Sequence, residues 1–272
     1  MMDISIIFGY GGMLFLGVVL GVMGAGGSIL TVPILIYLFS IPASQATGYS
    51  LVIVGTSALI AALEYLRRRQ SDIRLVMLFG GPAILGVYIM RRYLFPIVPD
   101  PVLSLHGVVL SKDTFVILLF AMVMLMAAIS MIRSTTLTEL DEVTRHHTQR
   151  HTVLISGVGF CVGVLTGFVG VGGGFIILPA LMFWGDIPVK TAIGTSLSII
   201  AANALIGFIG ELQVSDTIDY SFLGVIIILP IIGIVIGMQL NKKLSADHLK
   251  TGFGWFVLIM GISIAIKELS FT

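Results

Sequence analysis

Apolar residues fall in ten blocks, at about 4–23, 27–40, 45–66, 73–90, 114–132, 152–171, 174–185, 190–210, 219–240 and 251–267, with short polar stretches between them. A helix needs roughly 20 apolar residues to cross the hydrocarbon core of a bilayer, and most blocks have that length. They do not alternate polar with apolar, as the strands of a membrane barrel would. Helices are then the way these blocks satisfy their backbone in lipid. A signal peptide would be one short apolar stretch near the start, and here the blocks recur along the whole chain. Blocks 27–40 and 174–185 are short, each covering about 20 Å at the helical rise, and each follows a glycine cluster. The pattern predicts helices broken inside the membrane, either as re-entrant hairpins or as kinked pairs.

An internal repeat organises the blocks. With Pro33 set on Pro179, Gly24, Gly26 and Gly27 fall on Gly170, Gly172 and Gly173 without a gap. Pro42 falls on Pro188, Ala46 on Ala192, Gly48 on Gly194, Ser50 on Ser196 and Leu51 on Leu197. Upstream, Gly17 meets Gly163 and Gly21 meets Gly167. Shared leucine means little in membrane segments, but shared Gly and Pro at fixed spacing points to duplication. The expected organisation is a first membrane repeat over 1–133, a cytoplasmic linker over 134–151 and a second membrane repeat over 152–272.

Charge sets the orientation. Arg67, Arg68, Arg69 and Arg74 lie in one loop, Arg133, Arg145 and Arg150 in or beside the linker, and Lys242, Lys243 and Lys250 near the last block. Placing these with Lys190 in the cytoplasm follows the positive-inside rule. It leaves Arg91, Arg92, Lys112 and Lys267 outside, beside the acidic loop of Glu211, Asp216 and Asp219, with both chain termini outside. Arg91 and Arg92 are then read as snorkelling at a helix end. Block 45–66 runs inward and its partner 190–210 runs outward, so the halves are inverted, as five segments per half require. The expected fold is an all-α polytopic membrane protein of two inverted repeats, an architecture recurrent in secondary transporters.

Composition agrees. The 272 residues are 57% hydrophobic and 11% charged, against about 25% charged in soluble domains. The net charge of +1 selects no partner, and no basic tract with interleaved aromatics suggests nucleic acid. The single cysteine, Cys161, excludes a disulfide within the chain, and in its apolar block it reads as a small packing residue.

Candidate chemistry lies in the repeated motifs. The clusters Gly24-Ala25-Gly26-Gly27-Ser28 and Gly170-Val171-Gly172-Gly173-Gly174 each open a short helix. A helix starting in mid-membrane has unpaired N–H groups and the positive end of its dipole, which together suit an anion. Two inverted copies are expected to aim two such ends at one central volume. The other role of such glycines is close helix packing. The hydroxyls of Ser50, Thr195 and Ser196 either donate to an oxyanion or bond back to their own helices. Asn203, matched with Ser57, either lines a pathway or bridges helices. Glu64 is expected to pair with Arg67 or Arg68. Lys190 either draws anions to the cytoplasmic mouth or marks the membrane surface. His146, His147 and His151 match no tight metal spacing, so neither metal nor cofactor is expected. No nucleophile–base pair lies in the spans, so neither is a catalytic residue.

A glycine cluster, then Pro, then Ala-x-Gly-x-Ser-Leu, given twice over nearly the whole chain, resembles the TauE/SafE family of sulfite exporters. The resemblance implies a carrier in the inner membrane, driven by protons or another gradient, that exports sulfite, an organosulfonate or a similar sulfur-containing anion. The first half departs from the fuller motif, with Ser28 against Gly174 and Tyr49 against Thr195. An anion channel is the alternative, and an intramembrane enzyme a more distant one.

Overall fold

The computed structural model describes residues 4–24, 26–105, 108–133, 151–170, 173–184, 187, 189–213, 218–240 and 246–271. Gly172, His146, His147, Arg145, Arg150, Lys242, Lys243 and all but the last residue of the 134–151 linker lie outside the described residues. The described chain forms ten helices in the positions of the ten apolar blocks. The first half holds α1 (Ile4–Met23), α2 (Thr31–Tyr37, entered through the 3-10 turn Gly26–Leu30), α3 (Ala43–Arg67), α4 (Ile73–Ile97) and α5 (Lys112–Arg133). The second holds α6 (His151–Val169), α7 (Gly174–Trp184), α8 (Val189–Leu212), α9 (Tyr220–Leu240) and α10 (Ala246–Phe271). A small antiparallel ribbon, β1 (Leu103–Leu105) with β2 (Val108–Leu110), joins α4 to α5.

Six of these helices are long and apolar enough to cross a membrane. Bulky apolar side chains such as Phe8, Met77, Ile97, Val153, Trp255 and Ile259 are more than half exposed, a surface stable against lipid rather than water. The chain is an all-α polytopic membrane protein. Helices α3 and α8 are its centre: 72% and 67% of their spans are buried, against 33–50% for the other four.

The short blocks are return limbs of hairpins. A Cβ on Gly12 would lie 3.2 Å from Ile34, one on Gly27 2.6 Å from the Leu16 carbonyl, and Tyr10 stacks edge-on against Phe39. So α2 runs back along α1 from a bend at Gly24. In the second half, Gly173 at the bend packs on Thr166 of α6.

Helix α4 contains two π turns, Val76–Gly80 and Met90–Leu94, and continues past the predicted block 73–90. Each π turn adds a residue and rotates the remainder of the helix by about 100°. Each also lies close to a proline, Pro82 or Pro96, whose missing N–H loosens the ladder.

Packing pairs the halves reciprocally. Helix α1 packs on α9 and α6 on α4, while α3 packs on α8 and α5 on α10. The residues correspond as well as the helices do. A Cβ on Gly233 would meet Leu14 and Gly17, and one on Gly86 would meet Phe160 and Gly163. Leu14 and Gly17 are the repeat partners of Phe160 and Gly163, and Gly86 corresponds to Gly233 once one residue is inserted after α8.

Candidate functional site

The two glycine bends share one local geometry. Gly24 and Gly170 both have φ +76° and both donate their N–H to the preceding turn, to Leu20 and Thr166, at 2.8 Å. Only glycine takes that backbone readily, so each bend ends its helix at a fixed residue. Gly24 then abuts Ile193 and Gly170 abuts Thr47, the fifth residues of α8 and α3.

That placement corrects the expectation of one central volume. Helices α3 and α8 are antiparallel, with Gly48 against Glu211, Gly55 against Ala204 and Gly194 against Gln70. Their fifth residues therefore lie at opposite ends of the pair, roughly 25 Å apart at the helical rise. Gly24, Gly26, Gly27 and the fully buried Ser28 lie toward one end. Gly170, Gly173 and Gly174 lie toward the other. The reason is that each short helix returns along its own partner, α2 along α1 and α7 along α6.

The hydroxyls diverge between the halves. Ser50 donates across the halves to the carbonyl of Gly170. Ser196, its repeat partner, turns back to Ile193 at 2.9 Å. Thr195 Oγ1 accepts the Asp72 N–H at 2.8 Å, and the Tyr49 hydroxyl, its repeat partner, accepts the Asp219 N–H at 2.9 Å. Asp72 and Asp219 cap α4 and α9, accepting from Leu75 at 3.1 Å and Phe222 at 3.0 Å. Tyr49 and Thr195 differ in the motif yet do one job. Alanine at Asp72 or at Asp219 is expected to cost about 1 kcal/mol each, the usual worth of an N-cap. Matching falls in melting temperature for the two variants would show the equivalence; an unchanged melt for either would refute it.

Asn203 is fully buried and neither its amide nitrogen nor its oxygen has a partner, whereas Ser57 donates to Ile53 at 2.8 Å. Glu64 pairs with Arg68 at 2.6 Å, as expected. The side chain of Lys190 lies outside the described residues. Among the described residues no cluster fits a metal.

Sequence reasoning missed Arg91. It does not snorkel: it is 0% exposed, inside the second π turn of α4. Its Nη1 bonds Glu211 at 3.1 Å, while Nε and Nη2 have no partner. Phe95 covers the guanidinium at 4.8 Å, and Lys112 lies 4.2 Å from the same ring.

Arg91 stands at a position whose counterpart in the other half lines a pocket. Between α3 and α9 lies a pocket of about 410 Å³ lined by Leu63, Glu64, Arg67, Arg68, Val235 and Met238 among others. Its counterpart lies between α8 and α4, with Gly210 for Glu64, Tyr88 for Val235 and Arg91 for Met238. There a Cβ on Gly210 would lie 3.2 Å from Arg91 and 3.6 Å from the Tyr88 ring, and Tyr88 donates to Gln213 at 3.1 Å. Arg91 and Tyr88 fill the space.

Ten helices among the described residues, with hairpin bends and reciprocally packed halves, define a multi-pass membrane protein. The family described as sulfite exporter TauE/SafE matches residues 10–264. The chain therefore belongs to the TauE/SafE family. A probable membrane transporter protein of Xylella fastidiosa is 27% identical, covering 96% of this chain and 95% of its own. The probable membrane transporter protein YdhB of Bacillus subtilis is 26% identical, covering 92% and 96%. No solved structure matches the chain.

Proposed function

We propose that the protein is a secondary carrier that exports a small sulfur-containing anion, sulfite or an organosulfonate, across the cytoplasmic membrane by alternating access. The observation that carries this reading is the pair of corresponding clefts, one open beside Arg67 and Arg68 and the other filled by Tyr88 and Arg91. Inverted halves that exchange conformations turn one such state into its opposite, opening the second cleft as the first closes. The five-helix halves and their reciprocal packing support inversion. The basic loop of Arg67, Arg68, Arg69 and Arg74 supports a cytoplasmic position for the open end. Exposed arginines there attract the anion over about a Debye length.

The anion then moves along the α3–α8 pair, past Asn203 and toward Ser50 and the Gly170 bend. In this reading the two glycine bends serve the two ends of the pathway in turn. Coupling to a proton gradient would give the export its direction.

Purified protein in proteoliposomes tests the proposal. Expected are saturable sulfite flux, inhibition by taurine or thiosulfate, and acceleration when unlabelled sulfite is loaded on the far side. Flux proportional to concentration without counterflow would replace the carrier by a channel. No flux of any of these anions by folded protein would remove the substrate class. A response to an imposed pH gradient would identify the proton as the coupling ion.

A further inference from the structure

We infer that Arg91 is the oxyanion-binding residue of the closed cleft, and that Glu211 keeps its place while no anion is bound. The inference rests on the carrier reading and gives that pathway its specific contact.

The geometry of the free donors points to the ligand. Nε and Nη2 lie on one edge of the planar guanidinium, the edge that binds two oxygens side by side. Both lack a partner in a residue that is 0% exposed. Glu211 occupies only Nη1, on a different edge. Unmet donors on a buried charge are costly, and a buried ion pair is poor value for stability alone. An arrangement that leaves the bidentate edge empty is one that a ligand completes.

The surroundings support the same assignment. The corresponding position in the other half is Met238, which lines the open cleft, so the duplicated fold does not itself require a cation there. The π turn Met90–Leu94 carries Arg91, and such turns often mark functional positions. Phe95 covers one face of the guanidinium and holds its plane. Lys112, which donates to the Phe95 carbonyl at 2.8 Å, adds a second positive charge beside the site. The side-on edge demands at least two oxygens on one central atom. Sulfite and sulfonates satisfy that demand, whereas chloride presents a single point of contact.

When the anion takes the Nε–Nη2 edge, its charge repels Glu211, which is 12% exposed and can turn toward the polar end. The Arg91–Glu211 contact between α4 and α8 then loosens. Binding thereby acts on the contact that keeps the cleft shut.

The test is equilibrium binding of methanesulfonate and sulfite to detergent-solubilised protein, with chloride as the third probe, alongside flux in proteoliposomes. Wild type is expected to bind both oxyanions and not chloride at matched ionic strength. Arg91→Lys, which keeps the charge but loses the fork, should weaken oxyanion binding at least ten-fold. Glu211→Gln should tighten it. The double variant Arg91→Met with Glu211→Met removes both charges together, a change that buried pairs commonly tolerate, and should stay folded while losing binding. Arg92→Gln should bind as wild type does. Unchanged affinity in Arg91→Lys, or binding retained by the double variant, would overturn the assignment. Sulfite flux with an unchanged KM in Arg91→Lys would reject the site and keep the carrier. Arg91-dependent binding without any flux would keep the site and reject the carrier.

Discussion

Leucine at Gly163 is expected to prevent stable assembly, with a loss of about 3 kcal/mol, at the upper end of what overpacking usually costs. A Cβ there would lie 2.8 Å from both the Cα and the carbonyl carbon of Ala83, and closer still to its oxygen. Those are backbone atoms of α4, which is itself held against α8. Rotamer changes therefore cannot relieve the clash, and the α4–α6 seam must open. Helix association in lipid depends on close backbone approach at small residues rather than on a hydrophobic drive, so an opened seam loses most of what holds it. Gly157 lies on the same helix with nothing within 4 Å of its Cβ position. Gly157→Leu is expected to change stability by no more than about 1 kcal/mol, the scale of helix propensity. Thermal unfolding in detergent, followed by the fraction of monodisperse protein, distinguishes the two. Equal melting of both variants would show that the seam tolerates a side chain and that the reciprocal packing is looser than described. Gly17, whose Cβ would lie 2.8 Å from the Pro230 Cα, should behave as Gly163 does.

These seams explain why so much of the fold was legible. Positions where two backbones touch, such as Gly17 on Pro230 and Gly163 on Ala83, admit only glycine, so the spacing of these glycines marks the seams in the sequence itself. The ten blocks became ten helices for a related reason: lipid demands continuous apolar length. The short blocks after the glycines did form broken helices, and the hairpin alternative is the one observed. The charge pattern gives the direction of each helix but not the depth of each bend, so it does not show where along the α3–α8 pair the bends lie. The contacts of Gly24 with Ile193 and of Gly170 with Thr47, on helices paired through Gly48–Glu211 and Gly194–Gln70, place the bends at opposite ends.

Arg91 was illegible for a physical reason. Two adjacent arginines at a block end look like surface anchors, and a π turn arises from tertiary packing without a residue signature of its own. Pro96 was the available hint, since a proline leaves the carbonyl four residues earlier, that of Arg92, without its usual partner. The hydroxyls show the same limit. Ser50 and Ser196 are equivalent in sequence, yet one reaches across to Gly170 and the other turns back to Ile193. Side-chain partners depend on packing that differs between the halves, and a repeat describes only what the halves share.

Leucine at Asn203 is expected to make the protein more stable and nearly inactive. The residue is 0% exposed and both polar atoms of its amide are unpaired. It lies near the crossing of α3 and α8, where a Cβ on Gly55 would approach Ala204 at 3.2 Å and Leu205 at 3.0 Å. An unsatisfied buried amide costs about 1–3 kcal/mol. Leucine, of similar size, removes that cost and adds apolar burial, so the melting temperature should rise. Natural chains keep such a cost where activity needs it. If the amide meets the anion in passing, its removal should slow saturable sulfite flux at least ten-fold, about 1.4 kcal/mol of lost transition-state stabilisation. Asn203→Ser separates polarity from shape. A serine there can bond back to the Ile199 carbonyl as Ser57 does to Ile53, giving a stable protein with a weaker donor and intermediate flux. Lower stability in Asn203→Leu would mean that the amide bridges helices and holds the crossing together. Higher stability with full flux would take Asn203 out of the pathway and leave the polar route to Ser50 and Arg91.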